Sequence, residues 1–324
     1  MPPSTDVVLD LVAAYPHIGV LKAALARRDW PACRQAIGAV PLDSRTGMIR
    51  VASGDDEKRG GNDLEGFLRD VLRRDPDDGA AAALLGEHLI GVGWAIRTSA
   101  AAKDVSAEQF AAFHEWLGRA EEVLIEGAAR NPRDPAVWTV RLLSARGLSL
   151  GLAEARRRYE RAVAADPHHL PAQRQLMHQL APKWGGSWEE LHTFARDAMR
   201  AAPAGGAHGV LVAEGHAEHL LTVLREKRDL NAVAAYLHDP AIRDELYEAA
   251  RRSIGDPGFR RTYGWLEAAS TFAFVFRLME DRAATAWPLR LLGDLGTAYP
   301  WTAVFRDVPE AFRDVRVWAQ ESAA

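Results

Sequence analysis

Apolar residues recur at intervals of three and four along most of this chain, the spacing that lays one stripe down a helix. Leu176, Met177 and Leu180 share such a stripe, as do Val212, Leu220 and Val223, and Phe312, Val315 and Trp318. No stretch sustains the alternation with β-branched residues that a strand needs. The pattern predicts an all-α fold. Helices are expected over 64–75, 77–101, 106–131, 135–149, 152–166, 170–181, 187–201, 206–226, 229–238, 241–254, 258–280, 282–298 and 308–320. A helical hairpin precedes them, turning at Trp30-Pro31. The most apolar run, "AAAALLGEHLIGVGWAIR", is broken by Glu87, His88 and Arg97, so it reads as a buried helix rather than a membrane span.

Proline punctuates the helices. Asp75-Pro76, Asn131-Pro132, Asp166-Pro167, Ala202-Pro203, Asp239-Pro240 and Asp256-Pro257 each end a periodic run, because the residue before proline is driven out of helical geometry. From Pro132 to Pro240 the intervals are 35, 36 and 37 residues, near the period of a two-helix repeat. Upstream, Ala120, Leu124, Gly127 and Pro132 match Ala155, Tyr159, Ala162 and Pro167 in a small-x3-large-x2-small-x4-Pro pattern. Here the chain resembles the tetratricopeptide repeat. A third unit keeps Ala198 and Pro203 but carries Ala195 where the large residue belongs.

Residues 41–63, "PLDSRTGMIRVASGDDEKRGGND", interrupt this order. They are glycine-rich and carry one apolar cluster, Met48, Ile49 and Val51, which suggests a flexible loop serving as a linker or a binding lid. The expected organisation is a hairpin over 1–40, this loop, and a helical array over 64–324 that forms one continuous domain with the hairpin. The last helix, around Phe312 and Trp318, is expected to cap the array.

"PKWGGSWEELH" crowds lysine, tryptophan, glycine and histidine together. Its residues nevertheless fit an elbow. Pro182 stops one helix, Gly185 and Gly186 supply backbone freedom, and Ser187 with Glu190 forms a capping box for the next. Trp184 and Trp188 flank the turn. Together with "RDW" at Arg28–Trp30 and "GVLVAEGHAEH", this elbow is similar to one in a group of tetratricopeptide-like bacterial proteins of unknown function that carry K-W-G-G-S. The likeness covers roughly residues 16–305. It implies an irregular α-solenoid of helical hairpins and brings no catalytic residues with it.

Composition narrows the function classes. The net charge of −4 is spread without a basic block, which argues against nucleic-acid binding. A single cysteine, Cys33, rules out an intramolecular disulfide and a cysteine-rich zinc site. The N-terminus has no signal-peptide pattern, so a cytoplasmic location is expected. No nucleophile elbow, phosphate-binding loop or H-E-x-x-H helix occurs, and no cofactor is expected.

Two functional readings remain. In the first, a concave helical face binds a protein or peptide partner, presenting Arg174, Gln175, His178 and Gln179 from one helix and Glu214, His216 and Glu218 from another. The second is a helical enzyme or metal-binding protein. His216 and His219 stand three apart on one helix, so their rings share a face, and Glu189 with His192 does the same on the helix before. These four are the candidate ligands if the two helices aim them into one pocket. Otherwise the histidines are partly buried packing residues. The ten tryptophans likewise read either as a ligand groove or as wedges whose N–H groups meet turn carbonyls.

Overall fold

Three of the proline turns share one hydrogen-bond pattern: Asp78 N–H to Asp75 C=O, Asp134 N–H to Asn131 C=O, and His169 N–H to Asp166 C=O, at 3.1–3.2 Å. In each, the donor three places on is the N-cap of the next helix; Asp75 and Asn131 are also the C-caps of the helices before them, whereas Asp166 lies three residues past the C-cap Val163. The carboxylates of Asp78 and Asp134 also accept from the first free backbone amides of the helices they open. Pro76, Pro132 and Pro167 therefore lie in the turn, whereas Pro240 stands at the first helical position behind its cap, Asp239.

The computed structural model describes residues 7–53, 63–98, 100, 104–227 and 230–320. Among these, seventeen α-helices form, and the one β feature is an isolated bridge between Val8 and Leu295. The fold is all-α. By Cα proximity the described residues group into two compact units.

The first unit is Pro16–Ser187. It contains α2 (Pro16–Ala26), α3 (Trp30–Gly38), α4 (Leu42–Ala52), α5 (Leu64–Arg74), α6 (Gly79–Arg97), α7 (Ala107–Arg130), α8 (Pro135–Gly147), α9 (Gly151–Ala162) and α10 (Leu170–Gln179). Helix α6 is long and apolar enough to cross a membrane, but here it is mostly buried against α5, α7 and α8. The small-large-small positions do pack as their sizes suggest. Ala120 and Leu124 are fully buried, and Leu124 occupies the space beside Gly86 that a side chain there would need. Trp138 donates its N–H to the Pro132 carbonyl, the wedge-and-turn arrangement expected for the tryptophans.

The loop expected over 41–63 is corrected in its first half. Residues 42–52 are α4, packed on α2, α6 and α8, with Met48 and Ile49 fully buried. The short apolar cluster is the buried face of a helix. Residues 54–62 lie outside the described residues.

The unit ends in the elbow. Pro182–Trp184 make one 3-10 turn, and Gly185 follows in the left-handed region at φ +91°. The Gly186 N–H reaches back to the Ala181 carbonyl, and Gln179 donates from Nε2 to the Trp184 carbonyl. Trp184 meets Trp94 edge-to-face at 6.4 Å. A Cβ on Gly186 would lie 2.1 Å from the Leu180 carbonyl oxygen, a contact that only backbone movement relieves. Gly186→Ala should therefore destabilise the protein by roughly 2 kcal/mol, seen as a lower urea midpoint at unchanged slope. An unchanged midpoint would show that the elbow has slack.

The second unit comprises the described parts of Met1–Tyr15 and Trp188–Ala324. It contains α1 (Leu11–Ala14), α11 (Trp188–Ala201), α12 (Gly209–Lys227), α13 (Leu230–Leu237), α14 (Pro240–Arg252), α15 (Trp265–Leu278), α16 (Arg282–Leu292) and α17 (Val308–Gln320). Helix α12 is the centre of the unit, packing on α11, α13, α14 and α15. Helix α15 begins seven residues later than its pattern predicted, because the chain needs a left-handed Gly264, φ +86°, to turn into it. Helix α17 buries Phe312 and Val315 against α16.

Candidate metal centre

Gly215 lets α12 approach α11 closely. A Cβ there would sit 2.8 Å from Leu191 Cδ2, so the glycine makes room for Leu191, and the His192 ring comes to ordinary contact distance beside it, 3.6 Å at Nδ1. His216 is the next residue after Gly215, and His219, three further on, lies on the same side of α12, as their spacing required. The rings of His192 and His216 stack at 4.5 Å, and those of His192 and His219 lie 5.4 Å apart. From α14, Glu245 completes the group. One donor atom each from His192, His216 and Glu245 lies within 4.8 Å of the others.

Each of the three has one polar atom tied to a neighbour and one left over. His192 Nε2 pairs with His219 Nδ1 at 3.1 Å. His216 Nδ1 pairs with the Tyr236 hydroxyl at 2.6 Å. Glu245 Oε2 accepts from Arg196 Nη1 at 3.1 Å. The remaining atoms, His192 Nδ1, His216 Nε2 and Glu245 Oε1, are buried and make no hydrogen bond. Buried polar atoms normally find partners, so three orphans in one cluster call for an explanation. His216 Nε2 and Glu245 Oε1 are 3.5 Å apart, close to the separation of about 3.3 Å that two ligands of a tetrahedral ion adopt at bond lengths near 2.0–2.1 Å.

The protonation states suit ligation. Burial, reinforced by His216 and His219, pushes the His192 pKa down to about 3. Burial beside His216 brings His219 down to about 4. Both rings are thus neutral at pH 7. Burial raises the Glu245 carboxyl, but the His216 ring beside it and the Arg196 guanidinium outweigh it and hold the group below the usual range. Burial, with Glu245 and Asp239 nearby, raises the Tyr236 hydroxyl, so it stays protonated.

Around this core, Trp188 stacks flat on His219 at 4.1 Å and 5°. Trp188 was expected to serve the elbow alone, and it instead shields the histidines. The groove beside the cluster has a volume of about 450 Å³ and is lined by Arg196, Arg200, Asp244, Glu245, Glu248 and Arg251. Its charges are mostly paired, Arg200 with Glu248 at 2.7 Å and Arg196 with Glu245.

The four candidate ligands separate. His192 and His216 converge with free donor atoms. His219 is in the cluster, but its Nδ1 supports His192. Glu189 is exposed in the first turn of α11 and takes no part. Glu245 and Tyr236 carry no local sequence signal and emerge only where α13 and α14 pack on α12.

The residues expected on a partner face are mostly inside the fold. Gln175, Gln179, Glu214, His216 and Glu218 are all buried, and only Arg174 and His178 are half-exposed. Gln175 accepts from Arg146 at 3.0 Å and Gln179 donates to the elbow, so these amides satisfy internal groups. No family model matches the chain, and a search of curated proteins finds no match to it.

Proposed function

We propose that the second unit is a metal-dependent enzyme domain whose divalent ion is held by His192, His216 and Glu245. The reading rests on one observation: the three buried unpaired atoms belong to three adjacent residues whose other polar atoms are each fixed by a neighbour. That is the arrangement outer residues give to metal ligands, setting ring orientation and tautomer. Two imidazoles and a carboxylate suit zinc or iron(II) and leave coordination positions open. A bound ion would supply Lewis acidity to a substrate oxygen or a water.

The chain's own groups have separable tasks. Tyr236 orients His216, His219 orients His192, and Arg196 keeps Glu245 ionised and turned inward. The Trp188 indole covers the His219 ring and keeps water off that side. The groove along α11 and α14 gives a small polar substrate a route to Glu245.

The test is metal content and occupancy of the full-length chain. Purified protein should take up one equivalent of zinc or iron(II), and cobalt(II) substitution should give visible absorption of a low-coordinate site. Absence of stoichiometric uptake by elemental analysis after dialysis would refute the proposal.

Within the first unit, the tetratricopeptide-like reading is supported by the sequential packing of α7 on α8, α8 on α9 and α9 on α10, with the same proline turn between α7 and α8 and between α9 and α10. The burial of five of the seven expected contact residues is what moves the functional reading from a peptide groove to the histidine cluster.

A further inference from the structure

The first unit carries a hollow of its own. Helix α6 packs on both α5 and α7, and between those two flanking helices a cavity of about 570 Å³ opens over it. The buried side chains of Ala82 and Leu85 lie beneath it, and Leu72 and Val123 give it apolar walls.

Both ends of the hollow are tied across by ion pairs. At the start of α5, Glu65 Oε1 accepts from Arg69 Nε at 2.8 Å and from Arg119 Nη2 on α7 at 2.5 Å. At the far end, Arg130 of α7 donates to Asp77 Oδ1 at 3.0 Å and to Glu126 Oε1 at 3.1 and 3.2 Å. Helices α5 and α7 therefore run the same way, and residues 119–130 span about 16 Å at 1.5 Å per residue. A groove closed at both ends suits a small molecule, whereas a partner's helix would have to continue past the ties.

The two ends differ in charge. Two guanidiniums share the Glu65 carboxylate, but two carboxylates share Arg130. On the rim, Asp70 and Arg73 pair with each other. Arg69 lines the hollow and bonds only through Nε, so its two terminal nitrogens make no hydrogen bond among the described residues. Those nitrogens form a planar pair of donors, the geometry that meets both oxygens of a carboxylate.

We propose that this hollow binds a monocarboxylate with an apolar chain of medium length, its head on Arg69 and its chain running over Leu85 between Leu72 and Val123. Asp77 and Glu126 repel a carboxylate from the other end and so fix the ligand's direction. The site lies in the first unit and does not depend on the metal reading.

Calorimetric titration of the full-length protein with sodium octanoate and with 1-octanol, which share a chain and differ in the head, tests the proposal. Octanoate should saturate a single site and bind at least about tenfold more tightly than the alcohol. Arg69→Gln should remove most of that advantage and leave octanol affinity unchanged, a split that no folding defect produces. Val123→Phe, which fills the hollow from a half-buried position, should weaken both ligands. No saturable octanoate binding, equal affinity for acid and alcohol, an Arg69→Gln variant that binds octanoate like the parent, or a Val123→Phe variant that binds both unchanged would each overturn the proposal. So would a parent chain that sediments as a dimer and becomes monomeric in Val123→Phe, because the groove would then hold a second copy.

Discussion

Glu245→Ala should lower divalent-metal affinity by more than about 100-fold, and His216→Ala should do the same, while Glu189→Ala leaves it unchanged. Both first substitutions remove a buried donor atom that makes no hydrogen bond within the protein. Glu189 is exposed and outside the cluster, so it serves as a control on the same helix as His192. The intermediate case is informative. Tyr236→Phe keeps the ring that packs on His216 and His219 but deletes the hydroxyl that fixes the His216 tautomer. Its loss should be about tenfold, the usual scale for a residue behind the ligands. Competition with a chromophoric chelator gives all four constants, and far-ultraviolet circular dichroism checks the helices. Equal effects of Glu189→Ala and Glu245→Ala would mean that the metal sits elsewhere.

The contrast between Glu189 and Glu245 also marks how far the sequence can be read. Spacing on one helix is a local property, so the shared face of His216 and His219 was legible, and so were most helix limits, where Asp-Pro and Asn-Pro pairs stand. The same local rule suggested Glu189, three residues from His192, but did not show that the first turn of α11 faces solvent. Glu245 lies 29 residues beyond His216, and its place depends on α14 packing on α12, which no short pattern encodes. Polarity misled in the opposite direction. Gln175 and Gln179 looked like surface residues, yet they are buried because Arg146 and the elbow need their amides. Helix α4 escaped notice because the glycines and charges of 54–62 diluted its short apolar face.

Polar burial also sets the largest stability effect expected in the first unit. Arg158→Ala should destabilise the protein by about 3–5 kcal/mol, because it leaves a buried carboxylate without its main partner. Glu121 on α7 receives both terminal nitrogens of Arg158, at 2.6 and 3.0 Å, together with Arg141 at 3.1 Å and the Ser144 hydroxyl. All four residues are buried, and Arg158 also donates to the Arg141 carbonyl, so the network joins α7, α8 and α9. Burial raises the Glu121 carboxyl, but the bonds from Arg158 and Ser144 and the arginine charges prevail and hold it below its ordinary value. The folded pKa therefore lies below the unfolded one, near 4.3, and between the two the unfolded chain binds more protons. Glu121 thus contributes its full stabilisation above about pH 5 and loses it as the pH falls through the folded pKa. Urea midpoints measured from about pH 6 to about pH 3 should fall less steeply in Glu121→Gln than in the parent, from a lower starting value. A Glu121→Gln curve parallel to the parent's would show that other carboxylates govern acid unfolding. A cost below about 1 kcal/mol for Arg158→Ala would put the network in the class of exposed ion pairs, at odds with its burial.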